Sequence, residues 1–350
     1  MKILYVGALA AWSTSEARVR ALSALGHEVV PLDTTPLLER GPALLRKIQR
    51  QLLVGAGVSH LNAAVLNAAR LERPDLLWVD QGIYLWPRTA HALGRASGLL
   101  LHYNSDYLRF HPHVFRHYLA SVPAYEVHVV TNELCVPMLQ QRAARRVVLA
   151  EFGYDPQVHR PQSLTEQEMR HYGSDAFFGG HWEPTTERLV AALLACGVRV
   201  RVSGGGWGRA RAPRVRARLG GDIQPRLLPG DEYVKYLAAT KLGLGIVSKW
   251  NRSESASRTF EIPAVGGFLL GERTADHQRY YREGEEAEFF ADEWELVDKA
   301  LCSLQHDQRR REIARAGYER AQRSGYRHQD RMRQLLQAIG IEPRAGTVAW

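Results

Sequence analysis

The chain has 350 residues, 45% hydrophobic and 24% charged, with a formal net charge of +9. That length suffices for two domains with separate cores, and an ordinary globular composition excludes disorder except over about the last few residues, Arg344–Trp350. The charge excess is spread, 17 Lys and Arg against 12 Asp and Glu in residues 1–165 and 29 against 25 in the remainder, so no concentrated basic face argues for nucleic acid.

A basic excess of this kind equally suits phosphorylated ligands or an anionic membrane surface. The three cysteines, Cys135, Cys196 and Cys302, lie far apart without a CxxC or Cys/His cluster. This argues against a disulfide framework or structural zinc and fits the cytoplasm. No apolar run reaches the roughly 18 residues that span a bilayer.

In chain order, Lys2–Val6 reads as a buried strand rather than part of a signal peptide, because an amphipathic helix follows it. Ser13 and Glu16 form an S-x-x-E capping box ahead of Ala17, Ala21, Leu22 and Leu25 at helical spacing, Gly26 closes that helix, and Val29-Val30 opens a second strand. Gly41–Val54 puts Leu44, Leu45, Ile48 and Leu52 on one helical face, with Arg46, Lys47 and Arg50 elsewhere. Packing on the sheet and peripheral contact with the inner face of a membrane both suit it. Further strands are expected at Asp75–Asp80, Gly98–Tyr103, Glu126–Val130 and Val147–Ala150.

The polar, proline-containing run Gly153–Ser163 reads as an interdomain linker, which divides the chain into residues 1–155 and 156–325. Residues 326–350 are expected as a C-terminal helix and tail that returns to the first domain. In the second half, strands are expected at Ala176–Phe178, Val198–Val202, Leu242–Val247, Phe268–Leu270 and Glu288–Phe290. Helices are expected at Glu187–Cys196, Glu232–Ala239, about Arg258–Val265, Glu293–Leu304 and Gln308–Gln322. Strands alternating with helices imply parallel, doubly wound sheets, whose ligands bind at the carboxyl ends of the strands, here in a cleft between the two domains.

Lys249–Glu272 follows one such strand end. The N–H groups at the helix start near Arg258-Thr259, with Arg252 and Arg258, suit a diphosphate, and Glu261 can accept the hydroxyls of a ribose. A solvated loop with a helix cap is the alternative. The turn Gly179-Gly180-His181-Trp182 is a second phosphate candidate, with His181 or Arg188 in reach, or a tight turn only. In the first half, Gly7, Asp80 and Asn104 end strands where a sugar or hydroxyl nucleophile could lie, and His102 or Asp106 could act as general base. His111 and His113 lack a third ligand at metal spacing.

The run Arg258-Thr259-Phe260-Glu261-Ile262-Pro263-Ala264, with Gly266-Gly267-Phe268-Leu269-Leu270 and Glu272-Arg273-Thr274, resembles the CgeB-like group of GT-B glycosyltransferases, relatives of the group 1 or family 4 transferases. The similarity continues through Tyr281–Ala287, Phe289-Phe290, Glu295–Val297 and Arg311–Gly317. It implies a GT-B fold of two Rossmann-like domains facing a central cleft, and a glycosyltransferase of hexosyltransferase type without a metal or other cofactor. The donor would be a UDP- or GDP-linked sugar, and the acceptor a small molecule, glycan or protein. In that family two acidic residues eight positions apart frame the donor. Glu261 stands at the second position, Ser253 replaces the first, and Glu254 lies one residue off register. Lys249 is expected to assist the leaving diphosphate, and Trp207 in Gly204–Gly208 lies where related folds contact the base. Retention and inversion both remain open, as do a nucleotide-sugar epimerase, a phosphorylase or a non-catalytic binder on the same fold.

Overall fold

The computed structural model describes residues 1–11, 13–39, 42–96, 98–109 and 113–341. Two compact units emerge: Met1–Glu151 with the segment from His328 onward, and Phe152–Arg327.

The N-terminal unit holds β1 (Lys2–Gly7), β2 (Glu28–Asp33), β3 (Leu76–Asp80), β4 (Leu99–Asn104), β5 (Val127–Val130) and β6 (Val147–Leu149). Their pairing is parallel, in the order β2-β1-β3-β4-β5-β6. β1 and β3 are near-continuous apolar runs because both faces of the sheet are covered. On one face Leu4, Val6, Leu77 and Val79 meet Leu61 and Val65 of the helix Ala56–Glu72. On the other, Ile3, Tyr5 and Trp78 meet Leu22 of the helix Thr14–Ala24 and Met332, Leu335 and Leu336 of the helix His328–Ala338. The Ser13 hydroxyl caps the first of these helices by accepting the Glu16 N–H at 3.1 Å.

The C-terminal unit holds β7 (Ser174–Gly179), β8 (Val200–Ser203), β9 (Ile223–Gln224), β10 (Thr240–Gly245), β11 (Leu269–Glu272) and β12 (Glu288–Phe290), ordered β12-β11-β10-β7-β8-β9. This sheet is also parallel. The chain reverses its direction of winding between β1 and β3 in the first sheet and between β7 and β10 in the second. In doubly wound sheets these switch points open a crevice at the strands' carboxyl ends.

Two segments differ from their sequence reading. Gly153–Ser163 is not a free linker over its length: Tyr154 is fully buried and its hydroxyl donates to the Ala321 carbonyl at 3.4 Å. An aromatic side chain carries this polar run into the core of the C-terminal unit. The helix Ala43–Leu52 does not pack its apolar face on the sheet, for Leu44, Leu45, Ile48 and Leu52 are exposed.

Candidate functional site

At the switch point of the C-terminal unit, one side chain joins the two diverging strands. Arg258 donates from Nη1 to the Gly179 carbonyl at 2.9 Å and from Nη2 to the Ile246 carbonyl at 2.7 Å. Its guanidinium carbon lies 4.9 Å from the centre of the Phe178 ring. It therefore bridges the ends of β7 and β10 from the second position of the helix Ser257–Ala264. Among the described residues no carboxylate pairs with it, and its buried Nε–H has no partner. A guanidinium bound only to carbonyls keeps its full charge, beside the free N–H groups and positive dipole end of a helix. That combination favours an anion.

The turn after β7 is closely packed. A Cβ on Gly179 would come 2.6 Å from Tyr233 Cε2, and one on Gly204 would overlap the Gly180 carbonyl oxygen. Glycine at both positions lets the backbones approach closely. His181 is exposed beside this turn, and its imidazole occupies the space that a side chain on Gly205 would need.

Glu261 lies two residues beyond Thr259 in the helix and is largely buried, its side chain 12% exposed. Its Oε2 accepts from the Tyr233 hydroxyl at 2.8 Å, and His159 Nε2 stands 3.6 Å from Oε1. Burial first, and the adjacent Glu261 charge second, push the Tyr233 phenol well above its ordinary range, so Tyr233 remains a donor and orients the carboxylate. One carboxylate oxygen is thus held by a hydroxyl while the other faces the His159 imidazole.

A buried acid that sequence reasoning missed organises the loop after β10. Glu183 accepts from the Ser248 hydroxyl, from Lys249 N at 2.9 Å and from Trp250 N at 3.2 Å. Standing just before the helix Pro184–Ala195, it reads in sequence as an ordinary cap, and its partners lie more than sixty residues away. Lys249 also pairs with the buried Glu272. Burial pushes the Glu272 carboxyl up, with the Lys249 ammonium pulling the other way. Arg252 is exposed, in a left-handed backbone conformation (φ 48°) that is uncommon for a side-chain-bearing residue.

Several expected ligand residues are engaged elsewhere. The Trp207 ring is fully buried and its Nε1 donates to the Gly180 carbonyl at 2.9 Å, so it braces the glycine turn instead of offering a face to a base. The buried Thr259 hydroxyl accepts from Ala256 N and bonds His277 Nε2, which turns it inward. Arg188 projects from the exposed side of its helix to pair with Glu293 at 3.2 Å, not toward the turn. The Glu254 carboxylate accepts from Ala275 N at 3.1 Å and its carbonyl accepts from Thr274, so it caps the helix Ala275–Tyr280.

The switch point of the N-terminal unit is built differently. A Cβ on Gly7 would stand 3.0 Å from the Asp80 Cβ. Asp80 is buried and paired with Arg18 at 2.6 Å, and it also accepts from the Tyr5 hydroxyl. Asn104 is buried and donates to the Asp106 carbonyl, while Asp106 accepts from Gln81 Nε2 at 3.0 Å. His102 is fully buried, stacked on Tyr118, with Nε2 on the Gln81 carbonyl at 2.9 Å. Burial, then His128, hold its imidazole well below the ordinary range. It is a neutral core histidine, out of reach of an acceptor. His111 lies outside the described residues.

Residues 183–337 match a family model described as glycosyl transferase-like. No curated protein sequence matches the chain. Among solved structures, the HepE protein of Anabaena in complex with UDP and glucose is similar at 14% identity and a TM-score of 0.65, over 97% of this chain and 99% of that one. Sucrose-phosphate synthase from Thermosynechococcus elongatus is similar at 12% identity and a TM-score of 0.64, with the same coverage of 97% and 99%. A putative UDP-N-acetylglucosamine 2-epimerase from Listeria monocytogenes is similar at 14% identity and a TM-score of 0.51, over 99% of each chain. The two parallel six-stranded sheets, matched over nearly the whole chain, make this a glycosyltransferase-type GT-B fold of two Rossmann-like units.

Proposed function

We propose that the chain is a cytoplasmic, CgeB-like glycosyltransferase that binds a nucleotide-diphosphate sugar, UDP- or GDP-linked, in its C-terminal unit and passes the sugar to a hydroxyl-bearing acceptor. The observation that carries this reading is Arg258: a guanidinium without a carboxylate partner among the described residues, anchored on the carbonyls of both strands at the switch point. It lies within the segment that matches the glycosyl transferase-like model. A diphosphate there would meet Arg258, the start of the helix Ser257–Ala264 and the Gly179–His181 turn. These groups stabilise the charge that develops on the leaving diphosphate. Glu261, steadied by Tyr233, would accept the ribose hydroxyls. The solved relatives named with UDP support a uridine nucleotide first.

A second reading, a non-catalytic nucleotide binder, draws support from Ser253 in place of an acid and from the engagement of Glu254 on Ala275. A thermal-shift screen against UDP, GDP, ADP, CMP and dTDP tests binding, because a ligand at 100 times its Kd stabilises by about 2.7 kcal/mol. Product analysis with the matching nucleotide sugars then separates transfer from epimerisation, phosphorolysis or binding alone. Unchanged nucleotide binding and turnover in Glu261→Ala would overturn the donor site.

A further inference from the structure

The helix Ala43–Leu52 carries its amphipathicity the wrong way round for a helix of a folded core. It is moored through polar groups. Gln49 is buried, donating from Nε2 to the Leu38 carbonyl at 3.0 Å and accepting from Gly57 N at 2.9 Å and Val58 N at 3.3 Å. At its end the Arg116 guanidinium donates to the Leu52 carbonyl, and Trp86 Nε1 reaches the Leu53 carbonyl at 3.4 Å. A Cβ on Gly57 would stand 2.7 Å from the Leu37 carbonyl oxygen, so this mooring is close-packed.

The apolar side faces outward. Leu44 is 69% exposed, Leu45 59%, Ile48 42% and Leu52 51%, and Val54 beyond the helix is 44% exposed. At about 100° per residue the four helical positions form one stripe. Lone exposed leucines are ordinary, but a contiguous stripe on a single face marks an interaction surface.

The charge around the stripe selects its partner. Residues 40–71 include Arg40, Arg46, Lys47, Arg50 and Arg70 and not one Asp or Glu. Lys47 and Arg50 are exposed, and among the described residues no carboxylate pairs with either. Arg88 lies over the Trp86 ring at 4.4 Å, adding an aromatic–cation pair beside the helix end. A second copy of this chain would bring two acid-free basic segments together, which like-charge repulsion opposes. An anionic lipid surface offers both things the face lacks, an apolar layer for the leucines and negative headgroups for the arginines and lysine.

We propose that the helix Ala43–Leu52 docks the N-terminal unit on an anionic bilayer, lying in the headgroup plane with Leu44, Leu45, Ile48 and Leu52 inserted. It does not cross the membrane. No single described helix is long and apolar enough to do so, and the following helix, bent by 65° from this one, buries Val58, Leu61 and Val65 in the core. Long basic side chains on the flank reach up to headgroup phosphates.

Co-sedimentation of the full chain with phosphatidylglycerol-containing vesicles, against pure phosphatidylcholine vesicles, tests this without reference to donor or turnover. Binding to the anionic vesicles alone is expected, and raised salt weakens it. The exposed triple variant L44S/L45S/I48S is expected to abolish binding while leaving the thermal unfolding curve in place. K47A/R50A should weaken it about 30-fold, at about a tenfold factor per 1.4 kcal/mol and about 1 kcal/mol per basic residue. Three results would overturn the proposal: no binding to anionic vesicles, equal binding to both vesicle types, or binding unaltered in the triple variant. A soluble dimer that the triple variant disperses would assign the face to a second copy instead.

Discussion

The two sheets share one architecture but treat charge at their switch points in opposite ways. In the N-terminal unit, Arg18 and Asp80 are both buried and neutralise each other, with Tyr5 closing the cluster. In the C-terminal unit, Arg258 holds the strand ends through carbonyl oxygens, and among the described residues no carboxylate pairs with it. The first arrangement completes a core. The second leaves a guanidinium that no described carboxylate neutralises. A charged residue at a strand end is therefore informative about binding only once its partner is known.

The largest expected effect comes from breaking the closed cluster. Asp80→Ala strands Arg18 as an unpaired buried charge, which costs about 3–5 kcal/mol of stability, read from denaturant unfolding of the N-terminal unit. A loss under about 1 kcal/mol would mean that the pair does not close this site.

Acid should separate the units next. Burial holds the His128 and His277 imidazoles at about 4, below the ordinary value near 6.5. The folded state thus binds fewer protons than the unfolded one between these values. The stabilisation is complete above about pH 6.5 and declines as pH falls toward 4, by up to about 1.4 kcal/mol per pH unit per histidine. The N-terminal unit, which also buries His102 in a neutral form, should lose stability more steeply. His128→Gln and His277→Gln variants should flatten the slope of their own units in pH-dependent melting, and equal slopes in wild type would contradict the difference.

Opening the ligand-dependent side gives smaller numbers. Arg258→Ala should weaken nucleoside diphosphate binding by about 10–100-fold in calorimetry, the worth of one hydrogen-bonded charge at about 1.5–3 kcal/mol. Asp80→Asn, by contrast, should leave that affinity unchanged. Finest of all, Glu261→Gln should cost about tenfold against UDP but little against its 2′-deoxy analogue, given about 1.5 kcal/mol for a hydrogen bond to a charged group. Equal losses on both ligands would remove the ribose role. Tyr233→Phe should show the same selectivity, more weakly.

Much of the fold was legible along the chain. The apolar runs at residues 2–6, 75–80, 98–103 and 242–247 become strands, and the Ser13–Glu16 box begins its helix as expected. These are short-range signals: period, caps and glycine turns act within a few residues. Partners distant in sequence explain the differences. Thr259 is expected at a phosphate-binding helix start, Arg188 beside the glycine turn and Glu254 near the sugar, but each finds its partner on an element distant in sequence. His102 looked like a base, and the rings of Tyr118 and Tyr125 enclose it. Glu183 carried no visible signal, because its meaning lies in the N–H groups of Lys249 and Trp250.

The sequence by itself determined two parallel doubly wound sheets, since hydrophobic period and helix starts are properties of neighbouring residues. Only the tertiary structure decided which charges are already satisfied. Arg18 and Arg258 are the same side chain near the start of a helix, and composition does not distinguish them. Whether a carboxylate or a carbonyl stands opposite depends on strands brought together from 62 residues away in one case and 79 in the other. The same holds for Leu44, Leu45, Ile48 and Leu52: their stripe is written in the sequence, but its exposure follows from Gln49 being the side that the unit buries.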